Sequence, residues 1–119
     1  MTASASRFVS TTANDFDGHR VVRTYGVVRG ITVRSRGAIS MFGAKLQTLI
    51  GGNITILTEL CERTRADAYD IAVAHAEALG ANALLALRYD ATEVMPGVTE
   101  VLCYGTAVSI APSRERDQT

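Results

Sequence analysis

Few side chains in this sequence are of a type that does chemistry. The soft metal donors are Cys61, Cys103, His19 and His75. Thiolate and imidazole suit zinc or copper, but a closed site needs about four donors held about 2.0–2.3 Å from the ion. Cys61 and His75 lie 14 residues apart in a stretch with helical periodicity, which separates them by about 21 Å along a helix axis. They cannot share an ion within one subunit, and Cys103 can approach one of them but not both. Cys61, His75 and Cys103 therefore stand as metal candidates only through symmetry copies. Packed core thiols are the simpler expectation, because cysteine is among the most buried residue types. No metal or other cofactor is assigned.

Nucleophilic catalysis needs a base in reach of the thiol and a group that orients the base, and no spacing here supplies them. There is no P-loop, no GxGxxG between a strand and a helix, and no HExxH. Asp67 and Asp70 fall on the expected solvent side of a helix. No residue is assigned a catalytic role, and the chain does not read as an enzyme. His75 sits near a helix C-terminus, where a cation is favoured by about 0.3–1 kcal/mol, so a packing or capping role is expected.

Arg23, Tyr25 and Arg29 form the one cationic strip. At positions i, i+2 and i+6 of a strand they share a face, which would suit a small anion or stacked single-stranded nucleic acid. Zero net charge and a pI near 6.7 argue against nucleic acid. Residues 1–50 carry +5 and residues 51–119 carry −5. The strip is thus a candidate ligand or subunit-interface site, with pairing to acidic groups of a neighbouring subunit the leading expectation.

The elements that position these residues can be read from pattern. The chain has 119 residues, 47% of them apolar and 20% charged, enough for one domain with a modest core. Residues 7–12 read as a short strand ended by Asn14-Asp15-Phe16-Asp17-Gly18. A long strand follows, with Val21, Tyr25, Val27, Ile31 and Val33 on one face and Val22, Thr24, Val28 and Thr32 on the other. Gly26 and Gly30 mark a bulge or a close backbone approach. Residues 38–50 read as a short amphipathic helix stopped by Gly51-Gly52. A long helix, capped by Asn53 or Thr55, runs to Gly80, its stripe formed by Leu57, Cys61, Thr64, Ala68, Ile71, Ala72, His75 and Leu79. Two strands complete the order. The first, 83–94, has Leu85, Leu87, Tyr89 and Ala91 on one face. After a Pro96-Gly97 turn the second, 99–110, has a small face of Val101, Cys103, Gly105 and Ala107, as a helix lying across it requires. The expected class is α+β: a two-layer sandwich, a small, mostly antiparallel sheet with helices on one face. Residues 1–6 are expected to be flexible and 112–119 a disordered polar tail.

The N-terminal residues lack a signal-peptide run, no stretch approaches transmembrane length, and two cysteines in no CxxC suit reduced thiols. A cytoplasmic protein without membrane partners is expected.

Several short motifs occur in register. They are Ser10-Thr11-Thr12, Tyr25-Gly26-Val27-Val28-Arg29-Gly30, Gly51-Gly52, Arg65, Ala78-Leu79-Gly80-Ala81-Asn82-Ala83 and Gly105-Thr106-Ala107-Val108. Together they span residues 8–110 and resemble the YbjQ-like proteins, a family labelled heavy-metal-binding. The resemblance implies a dodecin-like two-layer subunit, a ring-shaped homopentamer and no established reaction. Asn53 and Leu57 depart from the Arg and aromatic common after the double Gly in that family. Cys61 stands where relatives commonly have Leu. The resulting expectation is a structural or interaction protein whose partner is itself. The alternative is a binding module for a metal ion or small anionic ligand formed by the assembled ring.

Overall fold

The computed structural model describes residues 7–35 and 53–113, with side chains from residue 58 onward in the second stretch. The elements are β1 (Val9–Ser10), β2 (His19–Ser35), α1 (Asn53–Ala78), β3 (Ala83–Met95) and β4 (Val98–Pro112). The helix expected over 38–50 lies outside the described residues.

One helix packs on a four-stranded mixed sheet of order β1-β3-β4-β2. β1 runs parallel to β3, while β4 is antiparallel to both β3 and β2. The hairpin linking β3 and β4 turns at Pro96-Gly97. Proline pre-sets its own φ, and Gly97 takes the φ of 78° that the next turn position demands. β4 sits at the centre and alternates as a sheet buried on one side should: Val101, Cys103 and Ala107 are buried under α1, with Leu102, Tyr104 and Thr106 on the other face. The small face read from the sequence is the helix-bearing one.

α1 lies down through small residues. Among its described side chains, Thr64, Ala68, Ala72 and Ala76, each four after the last, are the fully buried positions, with exposures of 0–5%. The reason is Gly30 of β2. A Cβ there would collide with the Ala68 carbonyl oxygen and come within 2.6 Å of the Ala72 nitrogen. The strand and helix backbones therefore touch, and only a seam of small side chains fits beside that contact. The broader stripe expected from the sequence is corrected accordingly: Cys61 is exposed, and Ile71 and Leu79 retain 38% and 50% of their surface.

The helix ends where Gly80 adopts a φ of 100°. Gly80 N–H donates to Glu77 O at 3.0 Å and Ala81 N–H to Ala76 O at 3.1 Å. This paired closure satisfies two carbonyls that a helix end otherwise orphans, and buried Ala76 and Ala81 supply its apolar contact.

Bulges decide which residues share a face. In β2, Val22 and Tyr25 are extra residues in the ladder with β4. Gly26, with a φ of 112°, directly follows the second, as the glycine signal suggests. In β3, Ala86 and Leu87 together oppose the single residue Gly105, and Ala86 carries a φ of 55°. Two expectations fail here. Leu85 leaves the face of Leu87: Leu84 and Leu87 pack in the core under α1, whereas Leu85 joins Ala83 and Val108 in a smaller cluster covered by Val9, Phe16 and Ile110. Tyr25 likewise leaves the face of Val27 and packs against the α1-side core. At the far end, Pro112 is the last residue of β4, paired with His19, and Ser113 N–H donates to Gly18 O at 2.8 Å. Pro112, expected to open the polar tail, is instead part of the last strand.

Candidate functional site

The cationic strip does not survive as one surface. Tyr25, turned inward by its bulge, points its hydroxyl at Ser109 Oγ (2.9 Å) and donates to Gly80 O (3.3 Å). The Arg23 guanidinium carbon stands 5.1 Å from the Tyr25 ring centroid, a cation–π contact. This pair latches the start of β2 to the C-terminus of α1. Arg29 lies elsewhere. Its register partner is Tyr104, and with Val27, Asp90, Leu102 and Tyr104 it rims a shallow depression of about 340 Å³ on the face opposite α1. One inserted residue between them, with the parity change it brings, separates the arginines expected to line up.

The soft donors also stay apart. Cys103 is fully buried in the core, as expected of a packed thiol, and desolvation pushes its pKa up. Cys61 is exposed, which corrects the packing expected for it. His75 is exposed rather than packed, and its Nδ1 lies 2.7 Å from the Arg29 carbonyl oxygen. A carbonyl only accepts, so Nδ1 carries the proton and the ring ties α1 to β2. His19 Nδ1 donates in the same way to Asp17 O at 2.9 Å. Among the described residues no three His, Cys, Asp or Glu side chains converge on a point that could hold a metal. The described donors of this chain, as placed, do not fit a heavy-metal centre.

The two charged halves of the chain meet at an ion pair between β2 and α1. Arg34 Nη2 is 2.7 Å from Asp67 Oδ2, joining β2 to α1. Asp67, expected to be merely solvated, is thus paired. Beside this pair is a cavity of about 220 Å³ between α1 and the sheet, with Arg34, Cys61 and Arg65 at it and Leu60, Ala91 and Val101 as its apolar lining. Sequence reading missed it as a site. Its residues come from four elements, and the only prior signal was Arg65 among the family-like motifs.

Residues 8–111 match the model of a protein family described as "Putative heavy-metal-binding", YbjQ. The chain belongs to the YbjQ family. Its relatives include a UPF0145 protein of Solibacter usitatus, 57% identical over 103 residues, covering 87% of this chain and 92% of that one. Another, from Burkholderia multivorans, is 58% identical over 106 residues, covering 89% and 87% respectively. A crystal structure from Pediococcus pentosaceus, of a DUF74-family protein of unknown function, matches with a TM-score of 0.57 at 17% identity. It covers 88% of this chain and 98% of that one, and at that identity it speaks for the fold alone. No described helix of this YbjQ-family chain is long and apolar enough to cross a membrane.

Proposed function

We propose that this chain is a subunit of a symmetric homo-oligomer, five being the expected number, and that the assembly rather than a catalytic centre is the functional object. The observation that carries this reading is the sheet face that the described residues leave open opposite α1. On β2, Val27, Ile31 and Val33 alternate along that face with exposures of 70%, 42% and 53%. Their row continues across β4 through Leu102 and Tyr104. A contiguous apolar face of this kind marks an interaction surface. Its charges suit a second copy of the chain, since Arg29 and Asp90 rim the same depression and a copy offers the opposite sign to each. Light scattering on the purified chain tests the reading: a single species several times the subunit mass of 12.7 kDa supports it, and a monomer overturns it.

A second reading, a ring-formed site for a metal ion or small anion, draws on the exposure of Cys61 and the surface position of Arg29. Donors for a metal would have to come from neighbouring subunits, because those of one subunit do not meet. Arg29→Ala separates the two readings. Loss of assembly assigns Arg29 to the interface, and loss of ligand from an intact oligomer assigns it to a site.

A further inference from the structure

The cavity between α1 and the sheet lies within one subunit and does not depend on the proposed assembly. Its chemistry is specific. Leu60, Ala91 and Val101 give it an apolar lining, and Arg34 and Arg65 bring two guanidinium groups to it. Asp67 pairs with Arg34 at 2.7 Å. Arg65 makes no hydrogen bond or ion pair among the described residues. Among the described residues the local balance is therefore one unpaired guanidinium over an apolar floor.

A second observation points the same way. Thr32 is 93% buried, and its Oγ1 has no hydrogen-bond partner among the described residues. It stands opposite Val101 in the ladder and two residues before Arg34 on the same strand face; Val101 and Arg34 line the cavity, and Thr32 lies next to them, outside the lining itself. Buried hydroxyls are nearly always paired, so an orphan next to a cavity asks for a partner that the described residues do not supply. Thr64 does not share this state, since its hydroxyl donates to Leu60 O at 2.8 Å.

We infer that this cavity binds a small monocarboxylate with a compact apolar body. The carboxylate lies against Arg65 and Arg34, where planar guanidinium groups match its two oxygens, and the body lies against Leu60, Ala91 and Val101. Size agrees: an apolar cavity of about 150 Å³ accepts benzene, and this one, at about 220 Å³, has room for a ring and its carboxylate. A phosphate dianion fits poorly, because it has no apolar part to set against that lining and carries more charge than the site balances.

Cys61 lines the same cavity and is the exposed cysteine, Cys103 being buried, so the chain contains its own reporter. The full-length protein is alkylated with neutral iodoacetamide, and modification of Cys61 is followed by peptide mass spectrometry with benzoate as the probe. The expected result is saturable protection of Cys61 by benzoate, with benzyl alcohol and inorganic phosphate, at matched ionic strength, about tenfold weaker. Arg65→Gln, a change at an exposed residue, should weaken the benzoate protection by about tenfold while leaving the oligomeric state unchanged. Protection by benzyl alcohol equal to that by benzoate overturns the inference, as does an unchanged benzoate effect in the variant. So does a Cys61 that resists alkylation in the folded protein without ligand, because the cavity is then already closed.

Discussion

Substituting Gly30 by alanine adds one methyl group at the point where β2 and α1 touch. The new Cβ would overlap the Ala68 carbonyl oxygen, lie 2.6 Å from Ala72 N and 2.9 Å from Ile71 Cβ. Two of these three atoms are backbone, so no rotamer change relieves the clash. Ordinary non-bonded contact is about 3.5–4.0 Å, so the helix must retreat by about 1 Å, and a gap of that size forfeits about a quarter to a half of each contact's attraction. The loss falls on the whole buried seam, Thr64, Ala68, Ala72 and Ala76. Overpacking of this kind costs about 1–3 kcal/mol and occasionally more. With backbone on the opposing side, about 3 kcal/mol or more is expected. Urea denaturation followed by circular dichroism measures it, and Gly26→Ala is the control. That residue has open space around its Cβ position and a φ of 112°, so only conformational strain of about 1–3 kcal/mol applies. A Gly30→Ala protein within about 0.5 kcal/mol of wild type, the range of ordinary surface substitutions, would refute the backbone contact.

Three further outcomes follow from single groups. Tyr25→Phe removes the hydroxyl from Ser109 Oγ and Gly80 O, and should cost about 1 kcal/mol in chemical denaturation. Ser109 keeps its own bond to Gly80 O, so a loss far above that would show a wider role. Tyr89 has its pKa raised from 10.0 to about 12, by desolvation first and then by the neighbouring Cys103. Its neutral form is favoured in the folded state, so the stability it contributes is fully present below pH 10 and is lost as pH rises towards 12. Ultraviolet titration of the native protein should show one of the four tyrosines ionising late, whereas a single transition near the ordinary value would contradict it. Asp67→Asn breaks the Arg34 pair, but with Asp67 46% exposed the stability loss should stay below about 1 kcal/mol. A larger loss in thermal melts would mean that the pair is better shielded than its exposure indicates.

What the sequence made legible was local chemistry. The Gly80 cap, the Pro96-Gly97 turn, the long alanine-rich helix and the small face of β4 each follow from one or a few adjacent residues. Gly26 and Gly30 were informative because a glycine inside a strand has few explanations, and both explanations occur here, a bulge at one and a close approach at the other. Parity was not legible. Val22, Tyr25 and one residue of the Ala86–Leu87 pair are surplus in their ladders, and each reverses which side chains face the helix from that point on. Ala86 gives no local sign of its φ of 55°, because alanine is not among the residue types, Gly, Asn and Asp, that signal the left-handed region. The same slip divided Arg23 and Tyr25 from Arg29. The cavity was illegible for another reason. Arg34, Arg65 and Val101 meet only through the pairing of β2 with β4 and the landing of α1 on Gly30, which no short pattern encodes. Cys61 was misread because helical spacing gives a stripe but not its width, and here a backbone contact narrows the stripe to alanine and threonine.

Native mass spectrometry of the untagged chain, beside a Val27→Lys/Ile31→Lys double variant, tests the central claim most directly. Both substitutions lie on the open sheet face, away from α1, so the fold should persist while two charges are placed in the proposed interface, where an unpaired buried charge is strongly unfavourable. The expected result is one closed oligomer for the wild type, with five subunits the anticipated number, and a folded monomer for the variant. A monomeric wild type, or an oligomer that the two lysines leave intact, would contradict the assignment of that face to self-assembly.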